Sequence, residues 1–302
     1  MKRDLVSIMD VKDDLMEIIN LGMEVKKNPK KYSEALKGKS LAMIFEKPST
    51  RTRTSFEVGM TQLGGHALYM SPRDLQMGRG ETIEDTAKVL SRFVDGIIYR
   101  AFDHKMVIAL AQNATVPVIN ALDDVEHPAQ IIADLMTILE KKGKLKGLKV
   151  SFIGDGNNVA NSLMLGCAIV GADFYIASPK GYEIKDEYVT LARKVANGKS
   201  KIVVTNDPIE AAKDADVIYT DVWVSMGEES EKEKKEKAFK DYQINGNLVK
   251  HAKKDFIFMH CLPAHRGLEV TSEVIDGPNS VVFDEAENRL HAQKALMIKL
   301  MS

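Results

Sequence analysis

The sequence predicts an α/β fold of two doubly wound parallel-sheet domains, with the active site in the interdomain cleft. Three observations predict this fold. Short apolar runs alternate with helical patterns along the chain, which is typical of parallel sheets with helical crossovers. A basic, glycine-containing stretch (KKGKLKG, 141–147) interrupts that alternation near the middle. Polar clusters follow the predicted strands, and open α/β sheets bind ligands at the carboxyl ends of their strands.

Composition restricts the possible function classes. The chain has 302 residues, enough for about two domains, and a net charge of -1, which offers no global field for nucleic acid or an anionic membrane. Apolar runs such as 41–45 are far shorter than the ~20 residues of a membrane span, and no secretory signal is visible. Cys167 and Cys261 are the only cysteines, which excludes a disulfide scaffold and favours a cytoplasmic protein.

The first half alternates helices and strands. Leu15, Ile18, Ile19 and Met23 share one helical face, which predicts a helix over 11–27 behind an Asp10 cap. The apolar run at 41–45 is typical of a strand buried on both faces. By the same patterns we expect strands at 66–70, 96–99 and 117–122, and helices at 82–93 and 128–141.

The alternation restarts after the basic stretch. We expect strands at 149–153, 174–177, 202–205, 217–220, 256–260 and 281–283, with a helix at 157–170. This predicts a first domain over 1–142 and a second over 143–285, with a final helix near 286–302 packing back on the first. The charged segment 228–240 (EESEKEKKEKAFK) is interpreted as a solvated loop or exposed helix.

The segment KPSTRTRTS at 47–55 predicts a phosphate site. It follows a buried strand and opens a helix, whose N-terminus offers free N–H groups and the positive end of a dipole. Two arginines among five hydroxyl residues exceed what helix capping needs, and guanidinium groups match phosphate oxygens. The glycines of a Walker-type loop are missing.

The turn IGDGNN at 153–158 also joins a strand to a helix. A dinucleotide site is disfavoured, because the third glycine is absent and the next strand ends in Ser178 and Pro179 without a ribose-binding acid. Amide side chains at this turn can hold a polar ligand. Other polar clusters follow predicted strands at Arg100, at 127–130, at 221–227, at 260–263 and at 287–291. Their shared placement at strand ends indicates one active site.

Five motifs resemble those of the ornithine carbamoyltransferases and occur in the same order. They are Ser-Thr-Arg-Thr-Arg at 49–53, His-Pro-Ala-Gln at 127–130, Asp-Val-Trp-Val-Ser-Met-Gly at 221–227, His-Cys-Leu-Pro at 260–263 and Glu-Asn-Arg-Leu-His at 287–291. The similarity covers essentially the whole chain. The first two motifs are shared with aspartate carbamoyltransferases, whereas Ser-Met-Gly and His-Cys-Leu-Pro narrow the resemblance to the ornithine branch.

The resemblance implies a set of residues for carbamoyl phosphate. Those for the phosphate are Ser49, Thr50, Arg51, Thr52 and Arg100, with Arg53 as a further candidate. Those for the carbamoyl group are His127, Gln130, Arg289 and the backbone carbonyls of Cys261 and Leu262. Gln76 resembles the family residue that reaches into a neighbouring subunit's site, which implies a homotrimer or a multiple of trimers.

The resemblance also implies an ornithine site, formed by Asn158, Asp221, Ser225 and Met226. The predicted catalytic residues are Cys261, Arg100 and His127. The attacking amine must be neutral, whereas an alkyl ammonium with a pKa of ~10.4 is mostly charged at pH 7. Asp221 can orient the ammonium group, and the Cys261 thiol can help remove its proton. Cys167, among apolar helical residues, is interpreted as a packing residue.

Three other interpretations remain. The chain could carbamoylate another amine such as putrescine, although Asn158 and Asp221 suit the α-groups of an amino acid. It could be a ligand-sensing relative without activity, which would be expected to lose some arginines or Cys261. It could be a nicotinamide-dependent dehydrogenase, which the glycine pattern disfavours. The histidines are dispersed, so we expect no metal and no cofactor, and carbamoyl phosphate and L-ornithine as the partners. The sequence leaves open whether the role is arginine synthesis or breakdown.

Overall fold

The computed structural model describes residues 2–71, 75, 76, 80–225, 227 and 229–302. The chain forms two compact units. The first consists of Met1–Met136 and Glu287–Ser302, and the second of Thr137–Ala286. Each unit is built around a parallel sheet, with four strands in the first and five in the second. The expected α/β class with two parallel sheets is confirmed.

The first unit begins with a short 3-10 helix, Ile8–Val11. The elements that follow are α1 (Leu15–Lys27), a 3-10 helix (Pro29–Tyr32), β1 (Ser40–Phe45), α2 (Thr50–Gln62), β2 (His66–Met70), α3 (Ile83–Leu90), β3 (Gly96–Arg100), α4 (His104–Asn113), β4 (Val118–Leu122) and α5 (Pro128–Lys142). From Thr137 onward α5 belongs to the second unit. The strand order is β2-β1-β3-β4. Chain connections leave β1 and β3 in opposite directions, so the switch point where α/β sheets bind ligands lies between these two strands.

The core of the first unit explains why its strands are so apolar. All five residues of β3 are buried, and β1 is buried from its second residue onward. Ala42, Ile44, Ile97 and Tyr99 pack with Leu110 of α4 in one apolar cluster. A parallel strand covered on both faces needs this continuous apolar sequence.

The second unit contains the remaining elements. They are β5 (Lys149–Ile153), α6 (Asn158–Val170), β6 (Asp173–Ala177), α7 (Asp186–Ala196), β7 (Ile202–Thr205), α8 (Pro208–Ala212), β8 (Val217–Thr220), a 3-10 helix (Glu229–Glu231), α9 (Lys232–Phe239), a 3-10 helix (Lys240–Tyr242), α10 (Gly246–Val249), β9 (Ile257–His260), α11 (Ser272–Ile275) and α12 (Val282–Met301). From Glu287 onward α12 belongs to the first unit. The strand order is β7-β6-β5-β8-β9, which places this switch point between β5 and β8.

The prediction of a strand at 281–283 is wrong. The Val281 N–H donates to the Phe258 carbonyl at 3.0 Å, but the contact stays an isolated bridge, and α12 begins at Val282. Asp284 and Glu285 stand in the first turn of α12, where carboxylates favour a helix start through its dipole. The motif at 287–291 therefore lies inside a helix and does not follow a strand.

The first helix also starts later than expected. Asp10 does not cap a helix over 11–27, because its carboxylate accepts the backbone N–H groups of Val6 and Ser7 at 2.8 and 2.9 Å. That arrangement is the reciprocal half of a capping box with Ser7 at the start of the first 3-10 helix. The α-helix itself begins at Leu15.

No helix in the described part of the chain has both the length and the apolar character that crossing a membrane requires.

Candidate functional site

The first cluster of polar groups lies at the switch point of the first sheet. Ser49 is extended and caps α2, its hydroxyl accepting the Thr52 N–H at 3.2 Å. Thr50 and Arg51 therefore occupy the first helical turn, where backbone N–H groups point out of the helix end. Arg100 ends β3 opposite Phe45 of β1, and only 4% of it is exposed. The loop after β1 and the end of β3 thus supply the hydroxyl and guanidinium groups expected for a phosphate.

Arg289 is held by a buried polar network. Its guanidinium donates to the Gln130 amide oxygen and, at 3.1 Å, to the Thr52 hydroxyl. Gln130 in turn donates to Asp134 at 2.7 Å. With the Gln293 amide oriented so that its oxygen faces the guanidinium, it accepts from Nε at 3.1 Å and from Nη2 at 2.9 Å. These partners fix the guanidinium plane of Arg289, which lies inside α12. Arg289 is therefore a rigid donor.

His127 is buried among positive charges. Burial holds the pKa of its imidazole well below the usual range, and the charges of Arg289, Arg100 and Arg51 lower that pKa further. The ring is therefore neutral at pH 7, and a neutral imidazole keeps one N–H to donate. Four expected residues converge on one place in the fold, and the guanidinium groups there favour an anionic ligand.

Lys47 belongs with this cluster, although the sequence analysis did not select it as a ligand. It is 7% exposed, and its ammonium lies 4.6 Å from the centroid of the Phe102 ring. Burial lowers the pKa of Lys47, and the charge of Arg100 lowers it further. Its position at the head of the KPSTRTRTS segment was the signal that could have identified it.

Arg53 and Gln76 are placed differently. Arg53 is about half exposed, forms an ion pair with Glu57 at 3.3 Å and stacks over Tyr69 with its guanidinium carbon 3.8 Å from the ring centroid. These local contacts account for Arg53 without a ligand. Gln76 is exposed on the segment between β2 and α3.

The second cluster lies where β5, β8 and β9 end in the second sheet. Asp221 follows β8 and is 8% exposed. One of its carboxylate oxygens accepts the Asn157 amide N–H at 2.8 Å. The other accepts the Val222 backbone N–H at 2.8 Å and the Cys261 thiol at 3.1 Å. The structure therefore brings the predicted acid and the predicted thiol into direct contact.

The turn that carries Cys261 is fixed by His260. Its Nδ1 accepts the Leu262 N–H at 2.9 Å, and its Nε2 lies 3.3 Å from the Glu269 carboxylate. The His260 N–H donates to Glu285 at 2.9 Å. Leu262 has a φ of 57°, a left-handed conformation that these contacts stabilise. Buried His260 and Glu269 thus hold Cys261 at the end of β9.

Asp221, His260 and Cys261 form the one group of three possible metal ligands found among the described residues, with ligand atoms within 4.8 Å of one another. Both ring nitrogens of His260 already have hydrogen-bonding partners within the protein. The thiol of Cys261 and both oxygens of Asp221 do as well. These hydrogen bonds account for the proximity of the three side chains within the protein.

The other expected ornithine residues lie near the same strand ends. Asn158 begins α6, and its amide oxygen accepts the Val159 N–H at 2.9 Å. Ser225 is half-buried on the segment after β8. Met226, the fourth expected residue, lies outside the described residues.

The interpretation of the charged segment as solvated is wrong for one of its charged residues and for Phe239. Lys235 of α9 is 4% exposed, and its ammonium pairs with Asp155 at 2.6 Å. Phe239 of the same helix packs against Tyr182 and Trp223, with ring centroids 5.0 and 5.9 Å apart. The Lys235 ion pair connects α9 to the turn after β5. The run of charges in the sequence did not predict this contact.

Comparison with known proteins identifies the family of the chain. The family model for the carbamoyl-P binding domain of aspartate/ornithine carbamoyltransferases matches residues 3–140. The model for the Asp/Orn binding domain of the same family matches residues 146–300. The chain belongs to the aspartate/ornithine carbamoyltransferase family. This confirms the family that the motifs predicted.

Individual members of the family are similar over the full length. A protein from Thermoplasma volcanium, named "Ornithine carbamoyltransferase, catabolic", is 66% identical and covers 100% of this chain and 99% of its own. The ornithine carbamoyltransferase of Bacillus subtilis is 58% identical over 98% of this chain and 92% of its own. The solved structure of the Pyrococcus furiosus ornithine carbamoyltransferase is 55% identical, with a TM-score of 0.96 over 99% of this chain and 97% of that one.

Proposed function

We propose that this family member transfers the carbamoyl group of carbamoyl phosphate to the side-chain amine of L-ornithine, giving L-citrulline and phosphate. The observation that carries the proposal is the convergence of Arg51, Arg100 and Arg289 on neutral His127 at the switch point of the first sheet. A dianionic acyl phosphate suits this arrangement. The acceptor follows from the names of the full-length relatives, which are 56–66% identical.

The first unit would supply most of the contacts to carbamoyl phosphate. The hydroxyl groups of Ser49, Thr50 and Thr52, the backbone N–H groups of the α2 N-terminus and the guanidinium groups of Arg51 and Arg100 hold the phosphate. His127, Gln130 and Arg289 orient the carbamoyl group, with the backbone carbonyls of Cys261 and Leu262 as acceptors for its amide hydrogens.

The reaction needs stabilisation of negative charge on the carbonyl oxygen. The amine nitrogen attacks the carbonyl carbon, and the bond to the phosphate oxygen breaks as the tetrahedral intermediate collapses. His127 is neutral and can donate its N–H to the carbonyl oxygen, while Arg100 neutralises the departing phosphate. Fixed donors of this kind contribute roughly 3–4 kcal/mol each to the stability of the transition state.

The second unit would bind ornithine through Asn158, Asp221, Ser225 and Met226. The Asp221 carboxylate attracts an ammonium group, and amide N–H groups such as that of Asn158 donate to the α-carboxylate. The Cys261 thiol donates to Asp221 at 3.1 Å, so it can pass its proton to that carboxylate and, as a thiolate, accept the proton that the amine must lose. The relatives support this substrate rather than putrescine.

We propose a homotrimer, or a multiple of trimers, as the assembly, with Gln76 completing the site of a neighbouring subunit. The exposure of Gln76 supports this role. Light scattering of the purified protein tests the mass. Mixing the inactive variants Gln76→Ala and Arg100→Ala tests the shared site, because mixed assemblies should regain part of the activity.

We place the activity in arginine metabolism in the cytoplasm. Relatives are named for both directions: two Thermoplasma proteins, 66% and 65% identical, are named catabolic, whereas a Campylobacter jejuni structure, 44% identical, is described as anabolic. Deleting the gene distinguishes the two. Arginine auxotrophy would establish the synthetic role, and loss of growth on citrulline the degradative one.

The activity is tested by supplying carbamoyl phosphate with ornithine, putrescine, aspartate or acetylornithine and measuring each carbamoylated product. The proposal predicts citrulline as the main product. No product with any amine would identify a ligand-sensing relative, and a main product from another amine would correct the acceptor.

A further inference from the structure

Asn157 has one side-chain orientation that its hydrogen bonds determine. Its amide oxygen accepts the N–H groups of Val159 and Ala160 at 3.0 and 3.1 Å, so the residue is the N-cap of α6. The oxygen must face the helix, so the amide nitrogen must face away from it. That nitrogen donates to the Asp221 carboxylate at 2.8 Å.

The backbone around Asn157 leaves little freedom for this contact to change. The Gly156 N–H donates to the Tyr182 carbonyl at 2.9 Å. A Cβ at Gly156 would lie 2.3 Å from the Ile184 nitrogen, so only glycine allows the two backbone segments to approach so closely. The turn after β5 is thereby packed against the segment after β6, and it holds Asn157 at a fixed distance from β8.

The contact with Asn157 gives the two Asp221 oxygens different partners. Oδ2 accepts from Asn157, which leaves Oδ1 facing Val222 and the Cys261 thiol. An amide that is itself anchored by two backbone N–H groups holds the plane of the carboxylate in this orientation.

We propose that Asn157 is a positioning residue for carbamoyl transfer, which orients the Asp221 carboxylate toward the ornithine amine and the Cys261 thiol without contacting substrate. The proposal rests on the assignment of Asp221 to ornithine made above. It adds Asn157, which caps α6 and donates to the Asp221 carboxylate.

Two substitutions separate the cap from the positioning contact. Asn157→Ser keeps a capping oxygen and loses the amide donor. Asn157→Asp keeps the cap and places a carboxylate against Asp221. The matched control is Asn245→Ser in α10, because Asn245 also caps a helix with one oxygen that accepts two N–H groups, both at 3.1 Å.

We expect Asn157→Ser to lower kcat/KM for ornithine about 10- to 100-fold, the effect of losing a hydrogen bond to a charged group. Asn157→Asp should lower it further, because two like charges would face each other. Both variants should bind carbamoyl phosphate as the unmodified protein does. Asn245→Ser should keep kcat/KM for ornithine within about twofold while losing comparable thermal stability. An unchanged kcat/KM in Asn157→Ser would overturn the proposal.

A double-mutant cycle with Asp221→Asn distinguishes positioning from a purely structural role, because a structural role would give no coupling between the two residues. If Asn157 acts through Asp221, adding Asn157→Ser to Asp221→Asn should change kcat/KM for ornithine by less than about threefold. Fully additive losses would contradict positioning while leaving the ornithine assignment intact. An Asp221→Asn variant with unchanged ornithine kinetics would overturn both that assignment and the inference built on it.

Discussion

The two sheets present opposite charges at equivalent positions of their topology. At the first switch point, guanidinium groups surround the neutral imidazole of His127. At the second, the Asp221 carboxylate is braced by Asn157 and Cys261. The first arrangement gains stability when an anion arrives. The second is satisfied within the protein and has to be oriented rather than neutralised. The same strand-end geometry thus suits an anion or an ammonium group according to the side chains that follow the strands.

The treatment of buried charge also differs between the units. In the second unit, Lys235 is neutralised by Asp155, and both side chains are largely buried, at 5% and 12% exposure. Lys235→Met should lower the free energy of unfolding by about 3–5 kcal/mol, because Asp155 then keeps a buried charge without its partner. Urea unfolding measures the loss.

Lys234→Met is the control for this prediction. Lys234 is 75% exposed, and its ion pair with Glu231 is long, at 3.8 Å. Its removal should cost less than about 1 kcal/mol. Equal losses in the two variants would show that the Lys235 ion pair adds nothing to the stability of the second unit.

In the first unit, we propose that the cations at the first switch point bind a ligand. Arg51→Ala and Arg100→Ala should each weaken carbamoyl phosphate binding by about 2–5 kcal/mol, because a charged partner of the bound phosphate is lost. Titration calorimetry gives the dissociation constants. Arg53→Ala is the matched control from the same motif, since Arg53 is exposed and paired with Glu57. It should bind carbamoyl phosphate within about threefold of the unmodified protein, and a loss as large as that of Arg51→Ala would return Arg53 to the site.

The substrate preference tests the second unit alone. Putrescine lacks the α-carboxylate, so donors such as the Asn158 amide would stay unsatisfied, at about 1–3 kcal/mol for each group. We expect kcat/KM for ornithine to exceed that for putrescine by on the order of 10²-fold or more at saturating carbamoyl phosphate. Comparable values would correct the acceptor and leave carbamoyl transfer standing.

The smallest effect concerns two histidines of the first unit that are perturbed in opposite directions. Burial and neighbouring arginines lower the pKa of His127, so the unfolded chain binds its proton first as pH falls below about 6.5. His127 therefore removes stability in acid, by at most about 1.4 kcal/mol per pH unit. The hydrogen bond to Asp123 raises the pKa of His104, so that residue adds stability below about 6.5 and loses it as pH rises through the raised folded pKa.

Urea unfolding between pH 5.5 and 8 measures both slopes. Relative to the unmodified protein, His127→Asn should lose less stability on acidification and His104→Asn should lose more. Slopes that change in the same direction would contradict the opposite environments of the two rings.

The sequence predicted the parts of the site that one strand end supplies by itself. The segment 49–53 joins a buried strand to a helix, and that local pattern was sufficient to predict the anion site. Arg289 was expected after a strand but lies in α12. Its partners Gln130 and Thr52 are distant in sequence, so no local pattern could predict these contacts.

Local sequence patterns could not predict the contacts of Lys235 and Asn157 either, because those contacts also involve residues distant in sequence. A run of charges predicts a solvated helix, and only the packing of Phe239 and the approach of Asp155 bury one lysine of the run. Asn157 was visible as a turn amide, but the direction of its nitrogen depends on the end of β8, 64 residues away in sequence.

We propose that each unit supplies most of the side-chain contacts to one substrate. The most direct test measures carbamoyl phosphate affinity by calorimetry and ornithine kcat/KM at saturating carbamoyl phosphate in Arg100→Ala and Asp221→Asn. We expect Asp221→Asn to bind carbamoyl phosphate within about twofold of the unmodified protein while ornithine kcat/KM falls at least about tenfold, the effect of losing one charged hydrogen bond. An Asp221→Asn variant that loses carbamoyl phosphate affinity as severely as Arg100→Ala would contradict it.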